Sequence, residues 1–179
     1  GLRPRLVVTG PPGPHNPANA AYLAELQTIC ADEGATDAVV FLYEHQRDAQ
    51  ARPVPASDAQ LADLYRLADG LLFPSAYEGF GIPIIEAGLS GIPIFCSDIA
   101  PFREVAGAAA LRFGLSEPPD QIGARIAAAL RADPRAELRR RVRTEYSWQA
   151  IGRRVLARLI RSNQRESIEE TKPPSISVS

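Results

Sequence analysis

The sequence predicts an α/β chain: a doubly wound, Rossmann-like parallel sheet with helices on both faces. Three observations carry that expectation. Short apolar runs at 6–10, 39–43, 70–73, 93–97 and 109–113 alternate with longer stretches of helical period. The runs are apolar at successive positions, as strands buried on both faces of a parallel sheet are. The connections that follow them are rich in glycine, proline and polar residues, and ligands of such sheets bind at the carboxyl ends of the strands.

Composition agrees with one domain. The 179 residues are enough for a sizeable core, 45% of them are apolar and the net charge is −1. No apolar run approaches the roughly 18 residues of a membrane span, and no segment reads as a signal peptide. The expected location is therefore cytoplasmic. The chain has no methionine, starts at Gly1 and reaches a strand almost at once, so it reads as the C-terminal piece of a longer polypeptide. Cys30 and Cys96 lack ligand or redox spacing, and two buried, reduced thiols are expected.

In chain order, the first strand ends in a loop from Gly10 to Pro17 that lacks the Gly-Lys-Ser/Thr ending of a phosphate loop, which argues against nucleoside triphosphate hydrolysis. His15 sits in this loop, either facing a ligand or simply exposed. Asn16-Pro17 reads as a helix start, with Tyr22, Leu26, Ile29 and Cys30 on one face until Gly34 stops the helix. After the second strand, Glu44 to Pro55 is polar and irregular; His45 and Arg47 are weak ligand candidates there. Ser57 and Gln60 form a capping box, and Leu61, Leu64, Tyr65 and Ala68 line the helix that follows.

The third strand leads into Pro74-Ser75-Ala76-Tyr77-Glu78-Gly79-Phe80-Gly81-Ile82-Pro83-Ile84-Ile85-Glu86. Proline suits the first turn of a helix, so Glu78 falls in the loop and Glu86 about one turn into a helix, with Ile84, Ile85 and Gly88 on one face. Free N–H groups at a helix start favour phosphate or another anion, and Gly79 and Gly81 let backbone approach a ligand. An ionised carboxylate only accepts hydrogen bonds, so Glu86 suits a vicinal diol such as a ribose, and Glu78 a second set of hydroxyls. The competing reading is structural: Glu78 as a cap, Glu86 solvated, the glycines a tight connection.

Further on, Pro101 to Val105 reads as a short helix in which Glu104 either caps or serves the site. Helices are expected around Ile122 to Leu130, from Asp133-Pro134 with Leu138 and Val142 inward, and from Ser147-Trp148 with Ile151, Val155 and Leu159 inward and Trp148 as a core anchor. Eleven arginines lie between Arg131 and Arg165. A solvated or inter-domain face is the first reading of them, and contact with an anionic membrane surface the second; nucleic acid is not expected, because aromatics are not interleaved. Residues 162–179 have no periodicity and are expected to be disordered.

The string Ala68-Asp69-Gly70-Leu71-Leu72-Phe73-Pro74-Ser75, then Glu78-Gly79-Phe80-Gly81-Ile82-Pro83, Glu86-Ala87 and Gly91-Ile92-Pro93-Ile94, closely resembles the signature of retaining glycosyltransferases of family 4, which have the GT-B fold. The resemblance implies that residues 1–161 are the C-terminal, nucleotide-sugar-binding domain of such an enzyme. It implies a nucleoside diphosphate sugar as donor, transfer of a hexose with retention of configuration, and neither metal nor cofactor. Glu78 becomes the candidate catalytic residue, and Glu78, Gly79, Phe80, Gly81, Ile82 and Glu86 the donor-binding set, with Glu104 a weaker match. Two departures stand out. The glycine and aromatic usual after the second strand are Glu44-His45-Gln46 here, and the family's first, central strand, whose loop carries an arginine and a lysine for the diphosphate, has no counterpart. The N-terminal acceptor domain is a further implied partner, and residues 1–179 alone are expected to be inactive. A catalytically idle sugar-nucleotide-binding or interaction module is the alternative.

Overall fold

The structure, a computed structural model, describes residues 3–10, 18–50, 52 and 54–156. His15, the Asn16-Pro17 start, Leu159 and the 162–179 tail lie outside the described residues. The elements run β1 (Leu6–Val8), α1 (Ala18–Asp32), β2 (Val39–Phe41), α2 (Asp58–Leu67), β3 (Leu71–Phe73), α3 (Ile82–Leu89), β4 (Ile94–Ser97), α4 (Ala100–Ala106), β5 (Ala110–Phe113), α5 (Pro119–Ala132) and α6 (Pro134–Arg141). Strands alternate with helices and every pairing is parallel, which is the α/β, Rossmann-like class expected. Val7 stands opposite Val40, Leu72 opposite Phe95, and Phe95 opposite Leu111. The strands form two sheets, β1–β2 and β3–β4–β5, and among the described residues no strand joins β1 to β3. Contacts divide the chain into units Gly1–Ala127, which holds all five strands, and Ala128–Ser179.

Local chemistry explains the boundaries. Ser57 Oγ accepts from the Gln60 N–H at 3.3 Å while Gln60 Oε1 accepts from the Ser57 N–H at 2.9 Å, so the capping box fixes the start of α2. Gly34 ends α1 at φ +62°, a conformation that costs glycine little. Asp133 accepts from the Arg135 N–H at 2.9 Å and caps α6. The core gathers where α3 and α4 meet the three-stranded sheet, around Ile84, Ala87, Ile94, Cys96 and Phe102. Phe102 is wholly buried, its ring 5.1 Å from that of Phe73.

Several expectations are corrected. The second strand stops at Phe41, because Leu42–Glu44 turn into a 3₁₀ helix closed by the His45 N–H donating to the Leu42 carbonyl. On α1 the less exposed positions are Leu23, Leu26 and Cys30, whereas Tyr22 and Ile29 are exposed. Cys96 is buried but Cys30 only partly. β4 is buried throughout, yet in β3 Leu72 is exposed. On α3 the inward pair is Ile84 and Ala87, three apart, which turns Ile85 and Gly88 toward solvent.

In the second unit, Leu138 and Val142 are exposed and Ala136 is the buried residue of α6. A π-helical turn, Val142–Tyr146, follows and shifts the register of what comes after. Ser147 caps residues 148–156 by accepting from the Ala150 N–H, and Trp148 there is 85% exposed, so it anchors no core. Of the arginines, Arg135 pairs with Asp133 and Arg141 with Glu145. Among the described residues no helix is long and apolar enough to cross a membrane.

Candidate functional site

The site is built on the β3–loop–α3 unit. β3 ends at Phe73, the loop runs to Gly81, and Ile82 opens α3. Gly81 is the N-cap at φ +92°, in the left-handed region. A Cβ there would lie 2.9 Å from Phe102 Cε1, so the glycine is required both by backbone conformation and by the buried ring under it. This refines the expected role of the two glycines: Gly81 makes its close approach to Phe102, whereas Gly79 faces open space, with nothing within 4 Å of its Cβ direction. No side chain caps α3. Glu78 therefore does not cap it; Pro83 has no N–H and the Ile84 N–H donates to the Gly81 carbonyl at 3.0 Å, so the donors left without an acceptor there, among the described residues, are the N–H groups of Phe80, Gly81 and Ile82. Phe80 and Ile82 are exposed beside them.

Both carboxylates are partly buried, and each has a hydroxyl beside it. Ser75 Oγ, with one proton to give, lies 2.9 Å from the Tyr77 carbonyl and 3.3 Å from Glu78 Oε1, so the carbonyl is its closer acceptor and Glu78 has the hydroxyl as a neighbour. The Ser75 carbonyl in turn accepts from the hydroxyl of Ser97, the wholly buried last residue of β4. Glu86 lies one turn into α3, where its Oε2 accepts from the Tyr65 hydroxyl of α2 at 3.0 Å. Burial pushes the Tyr65 hydroxyl well above the ordinary tyrosine range, and the bond to Glu86 adds to it. Glu78 and Glu86 are legible in the sequence, but the hydroxyl that holds Glu86 is not: Tyr65 reads only as part of an apolar helix face, since a contact over 21 positions leaves no local spacing.

Among the described residues, neither His45 nor Glu104 makes a hydrogen bond or ion pair to this unit. His45 and Arg47 are exposed, and His45 lines a separate hollow of about 360 Å³ with Gln27, Cys30, Val39 and Phe41. Glu104 is exposed near the end of α4, whose N-cap is Ile99 with no side-chain bond, so Glu104 does not cap that helix. The arginines of α4 and β5 are engaged locally: Asp98 accepts from Arg103 Nε at 2.8 Å and lies 3.2 Å from Arg112 Nε. The hydrogen bond from Arg103 holds the Asp98 carboxyl below the usual carboxylate range. Among the described residues Glu78 Oε2 and Glu86 Oε1 take no hydrogen bond.

A family model described as Glycosyl transferases group 1 matches residues 3–147. The chain is 40% identical over 83 residues to an O-antigen chain mannosyltransferase B of Escherichia coli, covering 45% of this chain and 21% of that protein. It is 30% identical over 117 residues to the lipopolysaccharide core biosynthesis mannosyltransferase LpsB of Rhizobium meliloti, covering 65% and 28%. It is 29% identical over 148 residues to a D-inositol 3-phosphate glycosyltransferase of Gordonia bronchialis, covering 80% and 29%. The chain thus spans between 21% and 29% of the length of these relatives. No solved structure matches it.

Proposed function

Since this chain belongs to the glycosyl transferases group 1, we propose that it is the donor-binding part of a hexosyltransferase that uses a nucleoside diphosphate sugar, retains anomeric configuration and needs no metal. One observation carries the reading: an uncapped α3 start, behind a left-handed Gly81, stands between two partly buried carboxylates, of which Glu86 is held by the Tyr65 hydroxyl and Glu78 lies beside that of Ser75. The N–H groups of Phe80, Gly81 and Ile82 hold the diphosphate and the negative charge that grows on it as it leaves, a preorganised form of stabilisation. Glu86 takes the ribose diol. Glu78 takes hydroxyls of the transferred sugar and acts in turnover. The mannosyltransferase names of two relatives favour mannose as that sugar.

Among the described residues β1 and β3 each pair on one edge only, which supports a further strand between the two sheets, from outside residues 1–179 and continuous with an acceptor domain. Reaction in a cleft between two domains needs both of them, so residues 1–179 alone are inactive in this reading. The protein works in the cytoplasm, its arginine-rich 131–165 segment a solvated or inter-domain face in the first reading and a contact with the anionic inner membrane surface in the second. The test is donor turnover by the full-length protein with uridine, guanosine and adenosine diphosphate hexoses. Transfer from one donor, with the anomeric configuration kept, is expected. Nucleoside diphosphate binding without transfer would instead identify an idle binding module, and neither binding nor transfer would overturn the reading altogether.

A further inference from the structure

We propose that Tyr65 is a positioning residue for ribose recognition: its hydroxyl fixes Glu86 so that the carboxylate meets the ligand's vicinal diol in one orientation. The proposal rests on the donor-binding reading above. Tyr65 sits on α2, a helix whose start is pinned by the Ser57–Gln60 capping box, and its ring packs against the buried core cluster. The hydroxyl therefore has a fixed origin. It lies 3.0 Å from Glu86 Oε2 and 3.5 Å from the Pro83 carbonyl, and with one proton to give it donates to the closer, charged acceptor.

A phenylalanine would fill the same apolar space, so packing alone does not call for the hydroxyl. Glu86 gains from it what a half-buried glutamate otherwise lacks. Free glutamate loses rotamer entropy when it binds, and a carboxylate already held by one oxygen has met that cost in advance. Oε1 takes no hydrogen bond among the described residues, and so one oxygen is anchored while the other is left for the ligand. A diol needs acceptors in a set direction; a single hydroxyl or none does not. The consequence is selective: loss of the Tyr65 hydroxyl weakens ribose recognition and spares the diphosphate contacts.

The experiment is calorimetric titration of the full-length protein, wild type, Tyr65→Phe, Glu86→Ala and the double variant, with uridine, guanosine and adenosine diphosphates and with their 2′,3′-dideoxy counterparts. Wild type is expected to prefer the ribose form of the diphosphate it binds, by roughly tenfold or more, the scale of a hydrogen bond to a charged group. Tyr65→Phe should lose most of that preference while binding the dideoxy form as wild type does, and should cost nothing further in Glu86→Ala. Tyr65→Phe that keeps the full ribose preference, or that weakens both forms equally, overturns the positioning role and leaves the donor-binding reading standing. If Glu86→Ala itself keeps the preference, or no diphosphate binds wild type, the donor reading and this proposal both fall.

Discussion

The two sheets of the first unit differ in how well they hide themselves. Around β3, β4 and β5 the side chains of Ile84, Cys96 and Phe102 are 2% exposed or less, whereas in β1 Leu6 and Val7 are 41% and 40% exposed. Both sheets are parallel and both are apolar in sequence. What separates them is cover: β3 and β4 pack against α3, which also meets α4, while the β1–β2 pair buries chiefly Phe41 and Tyr43 at its far end. The lesson is that an apolar run becomes core only where neighbours close over both faces. The site belongs to the covered half. Gly81 seats on Phe102, Ser97 reaches the loop from inside β4, and Tyr65 reaches Glu86 from a helix packed on the core.

That contrast can be broken first at Phe102. Phe102→Ala in the full-length protein should cost about 3–5 kcal/mol of stability, the scale for emptying a large buried aromatic, as read by denaturant unfolding. It should also loosen the Gly81 loop. A cost below that of a surface change would mean the α3–α4 core is not the anchor described.

The next effect lies in the carboxylates. Glu86→Ala should weaken donor binding by roughly 1–3 kcal/mol without unfolding the protein, and Glu78→Ala should mainly lower turnover. Wild-type kinetics in both would make the two acids structural.

A smaller effect is expected at alkaline pH. The native state keeps the Tyr65 proton where an unfolded tyrosine releases it, near pH 10. Its contribution to stability is therefore complete below that value and declines as pH rises above it, because the unfolded chain then binds fewer protons. Unfolding measured from neutral to alkaline pH should show a shallower decline in Tyr65→Phe. An unchanged slope would assign the decline to other groups.

The smallest effect sharpens the comparison from the other side. Val7→Ala removes a side chain that is largely in solvent, and should cost under about 1 kcal/mol. A loss as large as that of Phe102→Ala would show that the β1 face is covered in the full-length protein.

Much of this was legible in the sequence because it is written in short range. Ser57 and Gln60 are three residues apart, Gly34 and Asp133 mark their own helix ends, and the Glu78–Glu86 stretch carries its loop and helix start within one continuous segment. What was not legible depends on distance or on a small change of phase. Leu42 and Tyr43 look like strand but close into a 3₁₀ turn. Starting α3 at Ile82 buries Ile84 and Ala87 and turns Ile85 and Gly88 out. Trp148 stands exposed after a π-helical turn that no composition announces. Tyr65, which holds Glu86, stands 21 positions away on α2, and Ser97, which backs the loop residue Ser75, stands 22 positions further along the chain, so only the fold brings these two to the site.

The central claim is that the uncapped start of α3 takes a diphosphate. Calorimetric titration of the full-length protein with a nucleoside diphosphate and with its bare nucleoside tests it most directly. The diphosphate should bind at least about tenfold more tightly, since backbone N–H groups at a helix start are spent on its charge. Equal affinity for the two would contradict the account.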